Sequence, residues 1–137
     1  MKEKIEAAIE HLQQLTWSHW SSRVRQPGRT RVTEPASFGP IDYYERVDGE
    51  VVRVEWTAMV LGSRDLKRGR RFLNEIVADA PSWSQPITWG DPFHDAHDED
   101  AVILHRWNET DIYLALRHEG DEIPVRVCLV TTLRANT

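Results

Sequence analysis

The residues best suited to chemistry lie in one short acidic run, HDAHDED, at positions 94–100. Imidazole and carboxylate groups together suit zinc or another divalent transition metal. His94, His97 and the preceding Asp91 therefore form a candidate metal site of a metal-dependent hydrolase or a small-ligand-binding protein. Because the HxxH spacing matches no established metal motif, a solvated acidic loop is the competing interpretation, and no cofactor is predicted.

A second cluster is basic and lies at the start of a predicted helix. It consists of Arg64, Lys67, Arg68, Arg70 and Arg71. The helix macrodipole disfavours positive charge at that end, which hints at contact with phosphate or an acidic partner. An ordinary solvated helix face, with Glu75 four residues after Arg71, is the alternative. The net charge of -5 disfavours nucleic acid as the partner.

Motifs of nucleophilic and nucleotide chemistry are missing from the sequence. It has no GxSxG elbow, P-loop, dinucleotide-binding glycine pattern or HExxH. Cys128 alternates with Val127 and Leu129, which is typical of a small sheet residue and not of a reactive thiolate. The sequence therefore favours a protein that is not an enzyme.

Six tryptophans and the acidic run indicate a surface for a protein partner. Aromatic side chains are common anchors of protein interfaces, although tryptophans in loops also close small cores. The carboxylates suit a basic partner. The predicted partner-binding residues are Trp17, Trp20, Trp83, Trp89, Asp95, Asp98, Glu99 and Asp100.

The elements that must position these residues follow from apolar periodicity. Ile5, Ala8, Ile9 and Leu12 predict an amphipathic helix that ends at about Leu15. Asp48-Gly49 between strands at 41–47 and 50–61 predicts a hairpin with a two-residue turn. Its second strand is predicted to have one face in the core, which includes Val60, and one solvent-exposed face, which includes Glu55.

A second helix is predicted from about Arg64 to Ala80, with Ser63 as its N-cap and Pro81 as its stop. Three strands at 101–107, 112–118 and 123–132 form a C-terminal meander. Pro124 must lie at a strand edge or at the first residue of the last strand. The fold class is therefore α+β, in the order α-β-β-α-β-β-β, with two amphipathic helices on an antiparallel sheet.

Two long segments, at 17–40 and 81–100, have no sustained periodicity. The first is interpreted as a connection with one short edge strand near Val32, and the tryptophans of the second are expected to pack over a sheet edge. Connections of this length are uncommon within a compact domain and are either functional or mobile.

Composition sets the wider frame. A chain of 137 residues with 40% hydrophobic content fits one soluble domain. No apolar run is long enough to cross a bilayer, the first residues do not resemble a signal peptide, and the lone cysteine suits a reducing compartment. We therefore expect a cytoplasmic protein without membrane contact, in which self-association stays open. Residues 1–71 hold 13 basic and 10 acidic residues, and residues 72–137 hold 4 and 12.

The ending W-NETD-IYLALRH-EGDE-IPVRVCLV and the order of elements resemble small bacterial proteins of the immunity type found in polymorphic toxin systems. The resemblance covers about the last third of the chain at the level of motifs. The acidic second half, the tryptophans in the long connections and the missing catalytic motifs lead us to expect a non-enzymatic protein that masks a basic partner, in the manner of an immunity protein or a secretion chaperone. The resemblance assigns no functional residue, because such families share architecture far more than sites.

Overall fold

A computed structural model describes residues 1–46, 49–87 and 101–135. It has two long helices, α1 (Lys2–Gln14) and α3 (Leu66–Asp79), and a short α2 (Trp17–His19) that continues as a π-helical turn over Trp20–Val24. The predicted end of the first helix, at about Leu15, is confirmed. The segment at 17–40, predicted to be a connection, contains the additional short helix.

Within these described ranges, six antiparallel strands form one sheet in the spatial order β1-β2-β3-β6-β5-β4. The strands are β1 (Arg31–Glu34), β2 (Ile41–Glu45), β3 (Val51–Leu61), β4 (Ala101–Arg106), β5 (Tyr113–Arg117) and β6 (Val125–Arg134). The α+β class, the hairpin and the meander are confirmed. The predicted element order lacked α2 and the edge strand β1, which had been only a suggestion near Val32.

Both long helices pack against the same face of the sheet, which we call the front face. Ile5 and Leu12 of α1 and Leu73 of α3 share one core with Val127 and Leu129 of β6. Gly69 brings α3 close to the sheet, because a Cβ there would lie 2.7 Å from Leu116 Cδ1. On the opposite back face, a second core includes Leu104, Tyr113, Ala115, Cys128 and Val130.

Three local predictions are corrected by the structure. Val60 is 61% exposed, since a bulge between Thr57 and Met59 shifts the alternation of β3 and turns Leu61 inward. Ser63 does not cap α3: the helix begins at Leu66, and Asp65 Oδ2 accepts a hydrogen bond from Gly62 N at 3.1 Å. Asp48 lies outside the described residues, but Gly49 has the positive φ of 71° expected of the hairpin turn.

The outer edge of β4 is occupied by the chain that follows α3. Ser84 N donates to Arg106 O at 2.8 Å, and Ile87 N donates to Leu104 O at 2.8 Å. Trp83 forms a bridge with Trp107, which confirms that this tryptophan packs over a sheet edge. Pro124 lies immediately before β6, so its missing N–H interrupts no ladder of this central strand.

Among the described residues, no helix combines the length and the apolar character that spanning a bilayer would require.

Candidate functional site

An apolar groove lies between α1 and α3 on the front of the molecule. It is partly open to solvent, and its volume is about 150 Å³. Its walls include Ile5 and Ile9 of α1 and Phe72 and Ile76 of α3. An apolar cavity of this size accepts a benzene-sized group, so the groove can hold one large apolar side chain.

Trp83 and Trp107 also line the groove. Their ring centroids are 4.8 Å apart with an interplanar angle of 66°, an edge-to-face arrangement that is favourable for aromatic pairs. Trp83 is 7% exposed, and Trp107 is half-buried. The tryptophans therefore offer a rigid aromatic wall to any group that enters.

The rim of the groove is predominantly acidic. The lining includes the carboxylates of Glu6, Glu75 and Asp79, and its positive groups are the Lys2 side chain and the amino group of Met1. Glu6, Glu75 and Asp79 are all exposed. An apolar slot with an acidic rim is complementary to a large apolar side chain flanked by lysine or arginine.

The exposed surface of α3 continues this rim as a row of charges. Lys67, Arg71, Glu75 and Asp79 follow one another at intervals of four residues, which makes successive members neighbours on the helix surface. All four side chains are exposed. We call these four residues the charge row: its acidic half borders the groove, and its basic half lies toward the N-terminal end of α3.

The predicted basic cluster is thus a surface feature. Its five cations are exposed, and the nearest compensation is the pair of Arg68 Nη1 with Asp65 Oδ2 at 3.6 Å. Within the described part of the chain, Arg71 and Glu75 do not form an ion pair within 4.0 Å. The alternative interpretation, in which Arg71 pairs with Glu75 on an ordinary solvated helix surface, is therefore not supported.

A different cluster of charges is buried on the back face of the sheet. Glu55 Oε2 accepts a hydrogen bond from Arg117 Nη1 at 2.6 Å, and Glu55 Oε1 pairs with Arg126 Nη1. Glu119 bridges the same two arginines, at 2.8 Å from Arg117 Nη2 and 3.2 Å from Arg126 Nη2. Arg53 Nε lies 3.5 Å from Glu55 Oε2.

This network joins side chains of the neighbouring strands β3, β5 and β6. Arg117 and Arg126 face each other directly across β5 and β6, where like charges repel unless carboxylates separate them. Glu55 is 0% exposed and Arg117 is 1% exposed, so neither can reach a substrate in solution. The prediction that Glu55 faces water is wrong, because the back face of β3 is covered at this point.

Cys128 lies in the same back face and is also fully buried. Burial, and after it the nearby Glu55 carboxylate, raises the pKa of its thiol to about 12 against the opposing effect of Arg126. Its sulfur lies 3.6 Å from Thr57 Oγ1. Cys128 is thus a protonated core residue, as the alternation of its strand predicted.

The tryptophans predicted to bind a partner occupy different environments. Trp20 is 0% exposed and stacks on Tyr43 with centroids 5.2 Å apart, so it belongs to the core, which corrects its assignment to a partner surface. Trp17 is half-buried against the core. Trp83 is largely buried and lines the groove.

The remaining predicted site residues lie outside the described residues. They are Trp89, the candidate metal ligands Asp91, His94 and His97, and the acidic positions Asp95, Asp98, Glu99 and Asp100. Over 1–46, 49–87 and 101–135, no three His, Cys, Asp or Glu side chains are arranged to hold a metal ion. That finding does not test the metal hypothesis for the acidic run, which lies outside these ranges.

Several residues of the groove were missed by the sequence argument. Phe72 immediately precedes the apolar stripe residue Leu73, and this broadening of the stripe toward one side was the available signal. Trp107 was placed at the end of a strand without a role. The approach of α1, α3 and the two tryptophans joins distant parts of the chain, and no local pattern reports it.

Comparisons of the chain with sequence models of protein families, with curated proteins and with solved structures found no match. The resemblance to immunity proteins accordingly remains a proposal.

Proposed function

We propose that this protein is a non-enzymatic binding module of the immunity-protein or secretion-chaperone kind. It holds a basic, apolar segment of a protein partner in the groove between α1 and α3. The acidic rim around an apolar slot carries this proposal, since it specifies both the charge and the hydrophobicity of the occupant.

The size of the groove supports recognition of an anchor side chain. A volume of about 150 Å³ is well below that of the pockets that enclose drug-sized molecules, roughly 300 to 1,000 Å³. Interface hot spots are commonly single large side chains in well-packed pockets that exclude water. A Phe, Leu or Met side chain fills this slot, and Lys or Arg residues beside it contact Glu6, Glu75 and Asp79.

A synthetic peptide tests the proposal without knowledge of the natural partner. The probe is a short blocked peptide of lysine and leucine with one central phenylalanine, and the comparison peptide has glutamate in place of each lysine. We expect the lysine peptide to bind and to perturb the fluorescence of Trp83 and Trp107. Its affinity falls as salt is added, because the rim contacts are exposed charges.

Two charge-reversal variants locate the site. Glu75→Lys/Asp79→Lys changes the groove rim, whereas Asp121→Lys/Glu122→Lys makes the same charge change in the exposed turn between β5 and β6. The rim variant is expected to weaken binding of the lysine peptide by about tenfold, and the turn variant by much less. Equal loss in both variants would show a general charge effect and would refute the groove as the site.

Capture from the native host extends the test to the real partner. A partner that binds at the groove is released by the lysine peptide and is not retained by the Glu75→Lys/Asp79→Lys variant. A captured protein that the lysine peptide does not release, and that the Glu75→Lys/Asp79→Lys variant still retains, binds elsewhere. The proposed role of the groove then fails.

A further inference from the structure

The charge row of α3 is arranged against the dipole of its own helix. Its cations, Lys67 and Arg71, lie in the N-terminal half, and its anions, Glu75 and Asp79, lie in the C-terminal half. The first turn of α3 contains no acidic residue, and its last turn contains no basic residue. Helices are stabilised by the opposite distribution at both ends.

Pairing within the charge row does not offset this cost, and the Asp65 carboxylate at the N-cap pairs with Arg68, which lies outside the row. The order that stabilises an isolated helix puts glutamate before lysine, and the row has the reverse order. No ion pair joins members of the row in the described part of the chain. The order of charges along α3 therefore costs folding stability and is explained better by something outside the molecule.

We propose that the charge row selects partner segments by the order of the charges along them. The partner then carries acidic residues at a fixed distance from its basic, apolar anchor. This inference rests on the proposed function of the groove. The cationic anchor region contacts Glu75 and Asp79, and the acidic residues of the same segment contact Lys67 and Arg71.

Helix geometry sets the distance between the two parts of the segment. The centres of the basic and acidic halves of the row are eight residues apart, or about 12 Å at about 1.5 Å per residue. That exceeds the Debye length of about 8 Å at physiological salt, so each half acts on its own part of the partner. The acidic residues therefore lie about eight residues from the anchor in a helical segment, or about four in an extended one.

Three synthetic peptides test the inference. The first is the lysine-leucine peptide with its central phenylalanine, named the anchor peptide. The second, the acidic extension, adds two glutamates at the predicted distance, and the third, the basic extension, adds two lysines there. We expect the acidic extension to bind most tightly and the basic extension most weakly, with about a tenfold difference between them at low salt.

Reversing the basic half of the row must reverse this order. In Lys67→Glu/Arg71→Glu, the basic extension is expected to bind more tightly than the acidic extension. Arg23→Glu/Arg29→Glu is the matched control, because it makes the same charge change at two exposed positions outside α3. The control variant keeps the wild-type order of the three peptides.

The outcomes separate the two proposals. If the anchor peptide fails to bind, the proposed function fails and this inference fails with it. If the anchor peptide binds but both extensions bind equally well, the groove remains the proposed binding site. The selection of partners by charge order is then refuted. If a single-stranded oligonucleotide binds more tightly than the acidic extension and is lost in Lys67→Glu/Arg71→Glu, the basic half contacts nucleic acid and the inference is overturned.

Discussion

Glu55 shows how much one buried carboxylate can control. It contacts Arg117 and Arg126 and lies 3.5 Å from Arg53 Nε, with its own side chain fully enclosed. A buried ion pair adds little stability compared with an apolar pair, but removal of one partner leaves the other charge buried and uncompensated. The loss of Glu55 is therefore expected to cost more stability, by leaving buried arginine charges uncompensated, than its ion pairs contribute.

Glu55→Gln is accordingly expected to lower the free energy of unfolding by about 3 to 5 kcal/mol, measured by urea denaturation. Glu119→Gln, at the solvent side of the same network, is the control and is expected to cost about 1 kcal/mol or less. The double change Glu55→Gln/Arg117→Met should recover part of the loss. Equal stability of Glu55→Gln and the wild type would contradict the assignment.

At the scale of elements, α3 combines a well-buried face with an unfavourable charge order. Leu73 and Ile76 attach it to the sheet, and Gly69 allows the close approach. Packing of this kind stabilises a protein helix more than its surface charges do, so the helix tolerates cations at its N-terminal end. Such tolerance leaves the surface of α3 free to serve binding.

The single change Lys67→Glu is therefore expected to stabilise the protein. A carboxylate in the first turn of α3 interacts favourably with the macrodipole, which is worth about 0.5 kcal/mol at low ionic strength. The gain in the free energy of unfolding, measured by urea denaturation, should shrink at high salt. Arg29→Glu in an exposed turn should show no comparable gain, and a destabilised Lys67→Glu protein would refute the cost of the charge order.

The elements were predictable because their signals are local. The stripe of α1, the Asp48-Gly49 turn and the alternation of β5 each lie within a few neighbouring residues. The position of Val60 was not predictable, because the bulge depends on how β3 pairs with β6. The burial of Glu55 was missed for a related reason: alternation separates two faces of a strand but does not say whether the second face is covered.

At the scale of the whole molecule, β6 joins the two cores. It contributes Val127 and Leu129 to the front core and Cys128 and Val130 to the back core, and it lies between β3 and β5. A disturbance on either face therefore acts on the same central strand. Each core also contains a group that binds its proton more tightly in the folded protein than in the unfolded chain.

In the front core, burial is the main cause that raises the pKa of Tyr43, and its hydrogen bond to Glu34 Oε1 at 2.8 Å raises it further. In the back core, burial raises the pKa of Cys128 to about 12. As the pH rises above the unfolded value of each group, the unfolded chain loses protons that the folded protein keeps. The stability that these two protonated groups contribute is therefore full below about pH 8.5 and falls as the pH rises toward 12.

Urea denaturation between pH 8 and pH 10 would measure this fall, because there Cys128 is the first of the two groups to respond. One proton difference gives a slope on the order of 1 kcal/mol per pH unit. Cys128→Ala removes the thiol and should flatten the profile in this range while leaving the later contribution of Tyr43. A wild-type profile that is already flat between pH 8 and pH 10 would contradict the buried, protonated state of Cys128.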